Sequence, residues 1–305
     1  MTTKYTSKDY KLLPVFTGKR MIHEHYSKEK YEKLSYIKKG NFFLINKHLN
    51  LHTFFEKYSG VKIPNNIFDY NNDYDILYNL YNIFPKNSED YSIKKAEKQI
   101  NVIKEFLDDS IDSLLNSNNK NLVDIGCGNG LLTNKISKLY NFNKNAYCIE
   151  TINYLDKSVN DSINFSITDG NKINLNNDLA DLTICLLVIH HFTSMDSMID
   201  EIIRITKPNS YLLIYEHDCI SDNLRVKLDI YHIINELLLK PNLYNNYKHH
   251  YNNFANNYYS NYTTKEQLIN KLSKNFKLIK TKDIYMGFVN NYYALFQKNK
   301  YIIDT

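Results

Sequence analysis

Tryptophan is absent from this 305-residue chain, and glycine (8), proline (5) and cysteine (4) are scarce. The missing tryptophan goes with 27 tyrosines and many asparagine, lysine and isoleucine residues. That bias reads first as the imprint of an AT-rich genome and only second as function. Cys127, Cys148, Cys185 and Cys219 lie too far apart for a zinc ribbon or a CxxC redox pair. Nothing in their spacing suggests a secreted disulfide framework, so an intracellular, cytoplasmic setting is expected, with the thiols acting as small apolar fillers. No apolar run approaches the roughly twenty residues that span a bilayer. No cationic stretch followed by an apolar core opens the chain, so neither a membrane partner nor a leader is expected. No metal site is expected either. A large excess of one charge is also missing. The formal charge of +5 permits an anionic partner without demanding one, because the lysines are interspersed with Asp and Glu.

What is present suits a globular protein: 43% hydrophobic and 23% charged residues are enough to build a buried core. The first ninety residues lack a βαβ rhythm. Short helices are expected at Lys28 to Leu34, Leu51 to Tyr58 and Asp73 to Ile83, with Pro85 closing the last. Residues 1–90 therefore read as a helical extension or cap, and 91–305 as the main domain. From Ser92 to Leu115, Ala96, Ile100, Ile103, Phe106 or Leu107, Ile111 and Leu114 recur at helical spacing on one face.

Beyond the polar break at Asn116 to Asn121, short apolar runs alternate with helical segments, the signature of a parallel sheet covered by helices. The runs are Leu122 to Ile125, Ala146 to Ile149, Ile163 to Ile167, Leu182 to Ile189 and Tyr211 to Tyr215. Helices are expected at Leu131 to Leu139, at Met195 to Ile205 and after a Ser221 cap. Asn242 to Tyr262 reads as a loop too polar for the core, with His249 and His250 facing solvent. Thr263 with Glu266 reads as a capping box. Phe276 to Tyr285 and Asn291 to Gln297 read as a closing hairpin around Gly287.

The scarcity of glycine makes its clustering informative. Gly126, Gly128 and Gly130 place three of the eight within five positions, in Val123-Asp124-Ile125-Gly126-Cys127-Gly128-Asn129-Gly130. Such a turn between a strand and a helix lets the backbone approach a nucleotide at the strand's carboxyl end. By itself it could also be structural or serve a dinucleotide. Asp124, just before it, is placed to order the loop or to reach a cationic amino group. Glu150, about twenty residues beyond the turn, is placed to accept from ribose hydroxyls. Asp169-Gly170-Asn171 follows the third run, where an acid can accept the exocyclic amine of adenine.

The run VDIGCGNG, the acidic end of AYCIE, the TDGN turn, and LADLTICLLVIHHF followed by ITKPNSYLLIYEHD resemble the ordered motifs of class I S-adenosylmethionine-dependent methyltransferases. The resemblance is strong from Leu122 to Asp218 and weak over the last two strands. It implies an α/β fold with a seven-stranded, mostly parallel, doubly wound sheet whose last strand is antiparallel. S-adenosylmethionine would lie across the carboxyl ends, the turn of Gly126, Cys127, Gly128 and Gly130 against its methionine part, Glu150 on ribose, Asp169 and Gly170 at adenine, and Leu186 beside them. Pro208-Asn209-Ser210 departs from the family's usual Pro-Gly-Gly, which puts that turn's geometry in question.

The methyl acceptor is not named by the sequence. Leu186-Leu187-Val188-Ile189 stands where amine-methylating enzymes of nucleobases carry an Asn/Asp-Pro-Pro-aromatic turn, and Cys185 lacks the proline of cytosine-C5 enzymes. A small molecule or a protein side chain is the expected acceptor. The alternatives are an RNA, including a cap guanine-N7, and a catalytically silent partner subunit. His190, His191, Glu216 and His217 are the candidate catalytic residues. The histidines have a pKa suited to taking a proton, but they could instead shape the cofactor pocket, and Glu216-His217-Asp218 could be a solvated turn.

Overall fold

The computed structural model describes residues 51–300 apart from 68–72, 88, 108–110, 112–118, 154, 160, 240–246, 259 and 288. The helix expected at Lys28 to Leu34 lies outside the described residues. The chain divides into two compact units. One joins residues 1–88 to Ser221–Asn261, and the other holds Glu89–Ile220 with Tyr262–Thr305. Contacts therefore group Ser221–Asn261 with the amino-terminal residues rather than with the sheet.

The sheet unit runs α3 (Glu89–Leu107), β1 (Leu122–Ile125), α4 (Leu131–Leu139), β2 (Ala146–Glu150), β3 (Asn164–Ile167), β4 (Ala180–Leu186), α5 (Met195–Ile205), β5 (Thr206–Asp218), α8 (Lys265–Leu272), β6 (Phe276–Tyr285) and β7 (Asn290–Lys298). Its seven strands take the order β3-β2-β1-β4-β5-β7-β6. The first five are parallel, and β7 pairs antiparallel with both β5 and β6. The pleat sends successive side chains to opposite faces. Val123, Ile125, Ile149, Cys185, Ile214, Tyr292 and Phe296 pack with Met198, Ile202 and Ile205 of α5 and with Leu268 and Leu272 of α8. Leu122, Leu182, Ile184, Leu213, Tyr293 and Leu295 pack on the other face with Ile103, Phe106 and Leu107 of α3 and Ile136 of α4. Each fully buried Leu, Ile or Phe contributes roughly 1.5–3 kcal/mol, so this double-faced core fixes the register of the central strands.

Several elements differ from their sequence expectation. α3 is described from Glu89 to Leu107, three residues earlier than its apolar stripe suggests, and the expected end at Leu115 lies outside the described residues. β4 stops at Leu186, and the remaining apolar residues lead into a short 3₁₀ turn at Ile189–His191. β5 spans thirteen residues instead of five. Asn209 lies at φ 63°, a left-handed conformation that Asn tolerates better than most residues, so the Pro-Asn-Ser segment passes without the family's glycines. The capping box is made by Thr264 and Gln267, one residue later than expected.

The other unit contains α1 (Leu51–Ser59), α2 (Asp73–Ile83), α6 (Asp222–Ile233), a π-helical turn (Ile234–Leu239) and α7 (Tyr247–Asn257). Its core gathers Leu51, Phe55, Ile76, Leu77, Leu80, Ile230, Ile233, Leu237 and Phe254. The segment expected to be a polar loop thus contains α7, which buries Phe254 and leads to buried Tyr258. His249 is exposed, but His250 is half-buried with Nε2 2.7 Å from the Glu236 carbonyl. Among the described residues no helix is long and apolar enough to cross a membrane.

Candidate active site

The carboxyl ends of β1, β2, β3, β4 and β5 lie side by side, and the candidate residues sit there. At β1 the turn opens with Gly126 at φ 73°, and its N–H donates to the Ile149 carbonyl at 2.8 Å. A Cβ on Gly126 would lie 2.2 Å from Val188 Cγ2, so this glycine lets the segment after β4 pass against the turn. Gly128, at φ 57°, is different: a Cβ there would meet nothing within 4 Å. Its backbone faces open space. Gly130 stands at the start of α4 in a left-handed conformation, with Leu155 and Val159 closing over it.

Asp124 shares the pleat phase of Leu122 and points towards α4. There it accepts from the Thr133 hydroxyl at 2.5 Å, tying β1 to the helix across the turn. Its side chain is buried, and desolvation raises its pKa to about 7 despite the opposing Thr133 bond. Glu150 closes β2 half-buried. One carboxylate oxygen accepts from Gly128 N–H at 3.2 Å and the other from Thr151 N–H at 2.9 Å. The Thr168 N–H donates to the Glu150 carbonyl at 2.9 Å, which sets the turn after β3 beside it. In that turn Asp169 is exposed and accepts from the N–H groups of Asn171 (2.8 Å) and Lys172 (3.0 Å). These bonds hold its carboxyl below the usual pKa. Gly170 follows at φ 83°.

Two apolar side chains escaped the sequence reading. Ile152 is 52% exposed just past Glu150, and Ile167 is 61% exposed at the end of β3. Ile167 ends a strand-forming run, which signals core, and Ile152 stands two residues past β2, yet both lie open near the acidic groups. Cys127 is half-buried within the turn, while Cys148, Cys185 and Cys219 are buried, and none of the four forms a disulfide.

At the ends of β4 and β5 the candidates come together. Leu186 is half-buried, and Leu187 takes φ 55° with its N–H on the Tyr215 carbonyl at 2.7 Å. A non-glycine residue held there costs of order 1–3 kcal/mol, and such strain clusters at working sites. Glu216 and His217 are not a solvated turn but part of β5, 2% and 3% exposed. His190 Nδ1 lies 2.6 Å from Glu216 Oε1, and the His217 ring nitrogen 2.8 Å from Asn291 Oδ1. The rings of His190 and Tyr262 stack at 5.2 Å, and His191 lies 4.1 Å from His190. Burial is the leading cause in each case: it pushes His190 well below the ordinary imidazole pKa, lowers His217, and raises Glu216. Asp218 anchors the start of α8 by accepting from Lys265 N–H at 2.8 Å. Tyr262 and Asn291 were not foreseen as members of the site, since the one sat in an apparent polar loop and the other looked like the first residue of a plain strand.

Residues 123–214, the segment from β1 to β5, match the family model described as a methyltransferase domain. This segment is a methyltransferase domain. S-adenosylmethionine is the methyl donor that this domain and its site residues fit. No curated protein matches the chain in sequence. Among solved structures the methyltransferase is similar to one titled as SAM-dependent methyltransferases from Methanosarcina mazei, at 13% identity, 62% coverage of this chain, 97% of the other and TM-score 0.44. It is also similar to a SAM-dependent methyltransferase from Aquifex aeolicus (16%, 67% and 97%, 0.40). A third is the geranyl diphosphate C-methyltransferase from Streptomyces coelicolor (8%, 70% and 85%, 0.46). The residues present fit the cofactor: an open backbone at Gly128, the Glu150 carboxylate bonded to it, an exposed carboxylate at Asp169, and apolar Ile152 and Ile167 at the same edge.

Proposed function

We propose that this methyltransferase modifies a small molecule or a protein side chain, which enters above the ends of β4 and β5. In this reading Gly128 and Glu150 receive the methionine and ribose parts of the cofactor, and Asp169, Gly170, Ile152 and Ile167 receive adenine. The bound cofactor supplies an electrophilic methyl group. The protein's part is alignment, and well-oriented reactants recover roughly 7–11 kcal/mol of barrier.

The observation that carries the choice of acceptor is the wall at the ends of β4 and β5. It is built of the rings of His190, His191, His217 and Tyr262, which suits a compact acceptor. Labelled methyl transfer into a total cell extract, separated into RNA, protein and small molecules, tests this. Label in the small-molecule or protein fraction supports the proposal, and label confined to RNA overturns it.

A further inference from the structure

We infer that His191 takes the proton from the acceptor and that the buried Glu216–His190 pair is the positioning device behind it. The inference rests on acceptor access above β4 and β5. It narrows the acceptor to a nucleophile that still carries its proton at neutral pH: an alcohol, a phenol or an ammonium group.

Glu216 collects three donors. Its oxygens accept from His190 N–H at 3.3 Å, from His217 N–H at 2.8 Å and from the His190 ring nitrogen at 2.6 Å. A carboxylate gathering donors in this way is an ionised acceptor, so His190 carries its proton on Nδ1. The same bonds nail the 3₁₀ turn Ile189–His191 to the end of β5. His191 N–H adds a bond to the Val188 carbonyl at 2.8 Å. His190 contacts the rings of both His191 and Tyr262. Behind them His217 is held by Asn291, whose amide donates to the Tyr215 hydroxyl at 2.8 Å. The half-buried His191 thereby stands on a turn tied to the end of β5.

Both Glu216 oxygens accept, so the anchor itself calls for a carboxylate; an amide would turn its own N–H groups towards one of these donors. Burying a carboxylate costs several kcal/mol. Beyond the anchor, the carboxylate sets up a field that favours a cation beside it, and His191 becomes that cation when it accepts a proton. The titratable groups that interact with this imidazole are His190 on its own turn and Glu216 and His217 on β5. In the step itself, the acceptor's oxygen or nitrogen bonds to the methyl carbon while the carbon–sulfur bond breaks, its electron pair remaining on sulfur. The acceptor's proton passes to His191 and from there to solvent.

The test uses the full chain with labelled S-adenosylmethionine and a small-molecule cell extract as acceptor, with kcat followed from acid to neutral pH. Wild type should lose activity on the acid side as His191 becomes protonated. Glu216→Gln keeps the size of the side chain but not its charge, and should move that limb about one unit towards lower pH. His191→Gln should lower kcat about 100-fold with unchanged cofactor affinity. An unmoved limb in Glu216→Gln, or full kcat in His191→Gln, overturns the inference. Should Glu216→Gln fail to fold, ¹⁵N NMR of wild type loaded with S-adenosylhomocysteine decides: the His191 titration must coincide with the kinetic limb, and a mismatch overturns the assignment. Absence of label from every small-molecule product would instead remove the acceptor reading beneath it.

Discussion

Gly126 and Gly128 sit two residues apart in one turn, yet the structure gives them different duties, and alanine at each separates these. A Cβ at Gly126 would stand 2.2 Å from Val188 Cγ2 and 2.7 Å from Val188 Cβ, with the backbone at φ 73°. The left-handed conformation costs an alanine about 1–2 kcal/mol. Forcing Val188 aside adds about 1–3 kcal/mol of overpacking. Gly126→Ala should therefore destabilise the protein by about 2–5 kcal/mol. Gly128→Ala, with open space around its Cβ, should lose only the conformational part, about 1–2 kcal/mol. It should nevertheless weaken cofactor binding, because the added methyl occupies the space through which the ligand meets the backbone. Urea unfolding of both variants, with Gly126→Ala repeated in a Val188→Ala background, measures the terms separately. The penalty at Gly126 should shrink by at least about 1 kcal/mol once Val188 is shortened. An equal penalty in both backgrounds, or equal penalties at the two glycines, would refute the reasoning.

Glu150→Ala should leave the fold intact and weaken S-adenosylhomocysteine binding roughly tenfold or more, the loss of a hydrogen bond to a charged group; titration calorimetry checks it, and an unchanged Kd would place the ribose acid elsewhere. Asp124 has its carboxyl pKa raised to about 7 from 3.8. Between those values the folded state binds more protons than the unfolded chain, so its contribution to stability falls as pH rises. Asp124→Asn should accordingly gain on wild type in urea midpoints from about pH 4 to about pH 7 and level off above; a constant difference across that window contradicts the assignment. Asn209→Gly should be neutral or slightly stabilising at φ 63°, whereas Asn209→Val should destabilise by about 1–2 kcal/mol; thermal unfolding separates the two.

The parallel strands were legible because each is buried on both faces, which demands an unbroken apolar run such as Leu122 to Ile125. The glycine turn was legible because glycine is scarce and three cluster there. The far half of β5 was not. Glu216 and His217 look like solvent-facing residues, and only His190 and Asn291, 26 and 74 residues away, make them acceptable in a buried strand. α7 was hidden for a related reason: its Asn- and His-rich sequence shows no apolar stripe, and the burial of Phe254 becomes evident only against Ile230, Ile233 and Leu237. The one-residue error at α8 has a local cause. Thr263 with Glu266 and Thr264 with Gln267 share the same spacing, and the choice is made by where Asp218 receives the Lys265 N–H.

Calorimetric titration of the purified chain with S-adenosylmethionine and S-adenosylhomocysteine, with NADH as the control, tests the central claim most directly. An open glycine turn bonded to Glu150, with Asp169 at the next strand end, predicts one site of Kd about 1 μM or tighter, some 8 kcal/mol of binding, that NADH does not occupy. No heat from either sulfur compound up to about 1 mM, or equal competition by NADH, would contradict the account.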